Sequence, residues 1–159
     1  MKKVIAIFCF LIWFSSSQAF AQSEKRGIIM GTFGIGGGFG TIVETAPQFS
    51  FIFDLNLINK TGLTLCLTNI VSTRSGSLGP SQNMMLGAGY TFMRDRWNIG
   101  GAVIAAPTSQ DLLLGGKISG GYFFTNNIGV TGIATYRQTI GIASELYMFD
   151  FFAGISLKF

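Results

Sequence analysis

Between residues 48 and 58 apolar and polar side chains alternate almost position by position. Phe49, Phe51, Phe53, Leu55 and Leu57 fall on one face and Gln48, Ser50, Asp54 and Asn56 on the other, with Ile52 and Ile58 as exceptions. A period of two is the signature of a strand, whose successive side chains point to opposite sides. Asn59-Lys60-Thr61-Gly62 then reads as a turn, after which Leu63, Leu65, Leu67 and Val71 alternate with Thr64, Cys66 and Thr68. Carried along the chain, this pattern predicts eight strands, at 27–38, 48–58, 63–73, 83–93, 97–105, 112–124, 128–137 and 147–159. Each is close to the roughly 9–11 residues that a tilted strand needs to cross a bilayer.

The connections between these segments alternate in kind. Short turns fall at 59–62, 93–96 and 125–127, and longer links at 39–47, 74–82, 106–111 and 138–146. Outer-membrane barrels have short periplasmic turns and longer external loops, so this alternation places both chain ends on the periplasmic side and requires an even strand number. Composition points the same way. The chain is 48% hydrophobic and 14% aromatic with only 11% charged residues, about half the charge of an average soluble domain. Beyond the N-terminal segment, no apolar run is long enough for a spanning helix. A chain of this kind meets lipid as a closed antiparallel transmembrane β-barrel, an all-β up-and-down meander, because hydrocarbon offers no partner to an open strand edge.

The N-terminal segment stands apart. Lys2 and Lys3 precede an apolar run at 4–14, then Ser15, Ser16, Ser17 and Gln18, then Ala19-Phe20-Ala21 before Gln22. This order is that of a secretory signal peptide with an A-x-A cleavage site, and the run is too short to span a bilayer. The expected organisation is a cleaved signal peptide at 1–21 and a barrel at 22–159. Removing 21 of 159 residues leaves 138, and removing Lys2 and Lys3 from eleven basic residues leaves nine against seven acidic ones. That small excess, without a basic cluster beyond Lys25-Arg26, gives no reason to expect nucleic acid.

The last strand carries the most specific signal. Tyr147, Phe149, Phe151, Ala153, Ile155, Leu157 and Phe159 share one face, and Phe159 is the final residue. Here the sequence resembles the small eight-stranded outer-membrane barrel proteins, the class of the OmpA transmembrane domain, OmpX and OmpW. The resemblance implies that Ala153, Ile155, Leu157 and Phe159 form the C-terminal signal read by the barrel-assembly machinery. It also implies outer-membrane lipid and periplasmic chaperones as partners during biogenesis. Trp97, Tyr122, Phe124, Tyr136, Tyr147 and Phe149, near the predicted strand ends on the apolar face, fit the aromatic girdles of such barrels.

Candidate chemistry is sparse. The chain contains no histidine, which excludes Ser-His triads and leaves Cys66 without an activating base. Cys66 is expected to be a small interior wall residue. Neither a zinc-type His/Cys cluster nor a complete phosphate-binding glycine motif is present; 34–40 is glycine-rich but never completes G-x-G-x-x-G. Neither metal nor cofactor is expected. Four charged residues face the predicted lumen in mid-barrel or above: Asp54, Lys117, Arg137 and Asp150. Two positive and two negative charges in a low-dielectric interior are expected to pair with one another as a polar plug, with Asp54 across the lumen from the sixth strand and the other three at similar heights. Ile52, Phe123, Met148 and Phe152 are expected to point inward and help fill a lumen that eight strands leave barely wide enough for side chains. The expectation is a non-enzymatic membrane protein with a structural or surface-interaction role. A narrow pore or lateral pathway for small or apolar solutes and an adhesin acting through the external loops are the alternatives.

Overall fold

The computed structural model describes residues 27–40, 48–73, 81–107, 112–140 and 147–159. The predicted signal peptide and most of each longer link lie outside the described residues. Eight strands follow one another: β1 (Ile28–Gly40), β2 (Gln48–Ile58), β3 (Leu63–Thr73), β4 (Ser81–Arg94), β5 (Trp97–Pro107), β6 (Leu112–Phe123), β7 (Ile128–Ile140) and β8 (Tyr147–Lys158). Each pairs antiparallel with its neighbours in sequence, and β1 pairs with β8 to close the barrel. β2 and β3 have the bounds that alternation predicts. β1, β4, β5 and β7 run two or three residues further than predicted toward the longer links, while β6 and β8 stop one residue sooner. The ladder continues past the point where the apolar pattern fades, because backbone pairing does not require an apolar face.

The register fixes the shape. The row of paired residues that starts at Ile29 runs through Leu57, Leu65, Ala88, Val103, Gly116, Tyr136 and Phe149 and re-enters β1 at Phe39, ten residues further along. With eight strands, that stagger tilts the strands by about 40° and gives a backbone radius of about 8 Å. Three short turns close one end. Asn59 Oδ1 accepts bonds from the backbone N–H of Thr61 and Leu63, both at 2.9 Å, an arrangement in which an Asx side chain replaces backbone partners. Gly62 has φ +90°, and a Cβ there would lie 2.6 Å from Tyr90 Cζ and 2.8 Å from the Thr91 carbonyl, so only glycine fits. Asp95 takes φ 51° in the β4–β5 hairpin, a conformation that aspartate tolerates better than most residues.

The two faces of the wall differ completely. Outside, Phe33, Leu86, Ile118 and Ile155 are each about 60% exposed or more, and they belong to an apolar surface that runs around all eight strands. Among the described outward-facing strand residues only Arg94, at the short-turn end, carries a charge. Aromatic pairs such as Phe39–Phe149 (5.5 Å), Tyr136–Phe149 (4.8 Å) and Trp97–Tyr122 (4.8 Å) lie toward the two rims of this surface. An apolar surface of that extent is unstable in water and suited to hydrocarbon. Inside, Ile52, Cys66, Ile70, Met85, Ile104, Leu113, Ile133 and Phe152 form one buried cluster, and Met30, Ile58 and Phe123 a second one at the short-turn end. Cys66 is the interior wall residue that its position predicts. Ile52, Phe123 and Phe152 face inward as expected and are buried, whereas Met148 is half-buried near the long-loop end.

Candidate functional site

The lumen is the place where this sequence departs from the apolar rule, and its charges come from four strands. Asp54 projects inward from β2 and Lys117 from β6, four strands apart on opposite walls. Lys117 Nζ crosses the lumen and meets Asp54 Oδ1 at 2.6 Å, with both side chains almost completely buried. The same ammonium donates to Asn56 Oδ1 at 3.0 Å and reaches Thr68 Oγ1 at 3.5 Å. Asp54 is held from its own wall as well. Thr68, its direct partner on β3, donates to Oδ1 at 2.6 Å, and Asn56 Nδ2 donates to Oδ2 at 2.6 Å. Both carboxylate oxygens and the ammonium therefore have hydrogen-bond partners, which offsets the cost of taking the pair out of water.

The second pair lies within one wall. Arg137 on β7 bonds Asp150 on β8 through Nη2 (2.5 Å) and Nε (3.1 Å), and Thr135 Oγ1 donates to the same carboxylate oxygen at 3.2 Å. Both charged side chains have no solvent exposure. Asp150 is paired in register with Gly38 of β1, where a Cβ would run into the carboxylate. The glycine-rich stretch at 34–40 thus serves packing, as its sequence suggests. Arg137 Nη1 and Asp150 Oδ1 find no partner among the described residues, so this pair is less fully satisfied than the one across the lumen.

All four predicted charges are in the lumen and all are paired, but as two separate pairs. The expectation of one plug with Lys117, Arg137 and Asp150 at similar heights needs correction. Lys117, Thr135 and Asp150 do share a register row. In a barrel tilted by about 40°, however, a register row climbs about 3 Å per strand, so Asp150 stands about 6 Å above Lys117 along the axis. Lys117 meets Asp54 on the opposite wall, where the sequence placed it across from the sixth strand. The sequence reading also missed the neutral groups that complete the site: Asn56, Thr68 and Thr135. Each could have been found as the same-face neighbour of a carboxylate, two residues along the strand or directly across the ladder.

Below the cross-lumen pair the interior is lined with hydroxyls. Ser156 Oγ lies 2.7 Å from Thr32 Oγ1 and 2.5 Å from Thr131 Oγ1, and Thr64 donates to Thr91 at 2.8 Å. Asn98 is buried there, and neither of its amide atoms has a partner among the described residues. Lys158 Nζ sits 4.7 Å from the centre of the Phe123 ring, a cation–π contact at the short-turn mouth. Among the described residues no three His, Cys, Asp or Glu side chains gather. Asp54 and Asp150 are each engaged by a cation. Chemically the arrangement is a set of internal ties between wall segments.

The residues of the predicted C-terminal signal complete the barrel seam. Ala153, Ile155, Leu157 and Phe159 all face outward and are exposed. At the seam Phe159 N–H donates to the Ile29 carbonyl at 2.9 Å, and Ile29 N–H donates to the Phe159 carbonyl at 3.1 Å.

Neither a family model nor a curated protein matches this sequence. Solved structures do match its fold. The attachment invasion locus protein of Yersinia pestis, Ail, superposes with a TM-score of 0.62 at 10% identity, over 84% of this chain and 99% of that one. Neisserial surface protein A gives 0.61 at 13% identity, over 84% and 97%. A de novo designed transmembrane β-barrel gives 0.58 at 13% identity, over 87% and 100%. At such identities the likeness is one of architecture, and it agrees with the resemblance carried by the last strand. The chain has the fold of the small eight-stranded outer-membrane β-barrels.

Proposed function

We propose that this chain is a non-enzymatic integral protein of the bacterial outer membrane, with a sealed lumen and a structural or surface-interaction role. Its short turns face the periplasm and its longer links face outward. The observation that carries the reading is the pairing of an apolar outer wall around all eight strands with a lumen crossed by the Lys117–Asp54 ion pair. A barrel of about 8 Å backbone radius has little interior space to spare. Apolar clusters fill it on both sides of that tie. The absence of any histidine from the chain and the engagement of both lumen carboxylates in ion pairs support the non-enzymatic part. In this reading the exposed face of β8, with Ala153, Ile155, Leu157 and Phe159, is what the assembly machinery recognises, and lipid is the lasting partner.

The test is solute leakage from liposomes containing the refolded mature chain, with a small polar and a small apolar solute. Release no faster than from empty liposomes is the expected result, given protein shown to be folded by its heat-modifiable gel mobility. Release above that level would replace the sealed-barrel reading with a pathway through the wall or lumen. If Lys117→Ala changed the rate, the pathway would run past the cross-lumen pair.

A further inference from the structure

We propose that the outer wall between β5 and β8 carries a binding groove for one anionic phospholipid, with an acyl chain on its floor and the phosphate at Arg94. The proposal rests on the membrane reading above. The groove has a volume of about 1220 Å³ and an almost wholly apolar lining. Its floor is a single register row, Ile99–Gly120–Gly132–Ala153. One bank is the row Trp97–Tyr122–Val130–Ile155, and Ile118 and Phe151 rise on the other side. Because register rows climb around a tilted barrel, the groove runs obliquely up the wall from the short-turn end.

The floor glycines are not required by the fold. A Cβ at Gly120 or Gly132 would meet nothing nearer than 3.8 or 3.9 Å, which is ordinary contact, and neither glycine has a positive φ. Glycine weakens a strand interior, so the depression it leaves is a feature of the surface and not of the packing behind it. Many lumen-facing glycines differ, since a Cβ at Gly36, Gly89 or Gly154 would collide with backbone.

Charge selects the occupant. Arg94, the one charged outward-facing strand residue described, lines the low end of the groove together with Asp95 of the β4–β5 turn; neither forms an ion pair among the described residues, and with Arg96 the turn keeps a net positive charge. A guanidinium at the rim of an apolar channel matches a phosphodiester with its acyl chain laid inward. The short-turn end places that phosphate in the inner leaflet. A second copy of the chain seated in the groove is the alternative occupant, and the experiment below separates the two.

The experiment is native mass spectrometry of the refolded chain released from vesicles of phosphatidylcholine with phosphatidylglycerol. Insertion, read separately by heat-modifiable mobility, tests the membrane reading, so its failure is distinguishable from failure of the groove. The wild-type chain is expected to retain one phosphatidylglycerol in preference to phosphatidylcholine. Arg94→Gln should cut that retention about tenfold, the factor for roughly 1.4 kcal/mol lost with one charge-assisted contact. Gly132→Leu, which fills the floor without a backbone clash, should abolish it while the barrel stays inserted. Retention without headgroup preference, or retention unchanged in both variants, would overturn the proposal in favour of unspecific boundary lipid. A wild-type dimer that Gly132→Leu dissociates would overturn it in favour of a second copy.

Discussion

Lys117→Met offers the sharpest test of the lumen. Methionine keeps the length and most of the volume of the lysine stem, so the change removes the charge and little else. What it leaves is Asp54, 1% exposed, with Thr68 and Asn56 still donating to it, and Asn56 Oδ1 without its lysine donor. Removing one partner of a buried ion pair costs about 3–5 kcal/mol, because the remaining charge stays buried without compensation. Two surviving hydrogen bonds place this case at the lower end, about 3 kcal/mol. The double variant Asp54→Asn with Lys117→Met removes the stranded charge and keeps a side chain of the same shape for Thr68. It should recover at least about half of that loss, since neutral replacement of a whole buried pair is often close to neutral. The assay is reversible urea unfolding in vesicles, with stability taken from the midpoint at constant slope. The double-mutant cycle isolates the coupling. A single variant as stable as wild type, or a double variant no more stable than Lys117→Met, would refute the claim that the two walls are tied by this pair.

The remaining predictions use the same unfolding assay. Arg137→Met should cost more than Lys117→Met, about 4–5 kcal/mol, because Asp150 would keep only the longer bond from Thr135; equal losses would show that the Nη2 and Nε contacts contribute little. Gly62→Ala should destabilise by more than about 1 kcal/mol, since φ +90° and the approach of Tyr90 and Thr91 leave no space for a methyl group; a neutral effect would mean that this turn relaxes freely. Asp95→Gly should be neutral or stabilising by a few tenths of a kcal/mol while Asp95→Val is destabilising by about 1 kcal/mol, reflecting φ 51°. Ile118→Arg, in the outer wall, should lower stability in bilayers by about 2–4 kcal/mol; no effect would argue that this face does not sit in hydrocarbon.

Much of this molecule is legible in one dimension because a barrel wall is a period-two object. Each residue faces either lipid or lumen, and Phe49, Phe51, Leu55 and Leu57 against Ser50, Asp54 and Asn56 state that choice without reference to any other strand. Strand count and pairing order follow from the turns. The same logic places Asp54, Lys117, Arg137 and Asp150 inside, since a charge on the outer face would have no compensation at all. Which charge meets which is a different kind of fact. It depends on the stagger accumulated around the whole barrel, to which all eight pairings contribute, including five that are joined by the longer links or by the seam. A register shift of two residues at any one ladder would keep every side chain on its proper face and still move Lys117 by about 5 Å along the axis relative to Asp54. Facing is a local property and height is a global one. The correction from one plug of four charges to two separate pairs at different heights marks the boundary between the two. The roles of Thr68 and Thr135 lie on the same boundary: each is an ordinary lumen threonine until the register sets it beside a carboxylate.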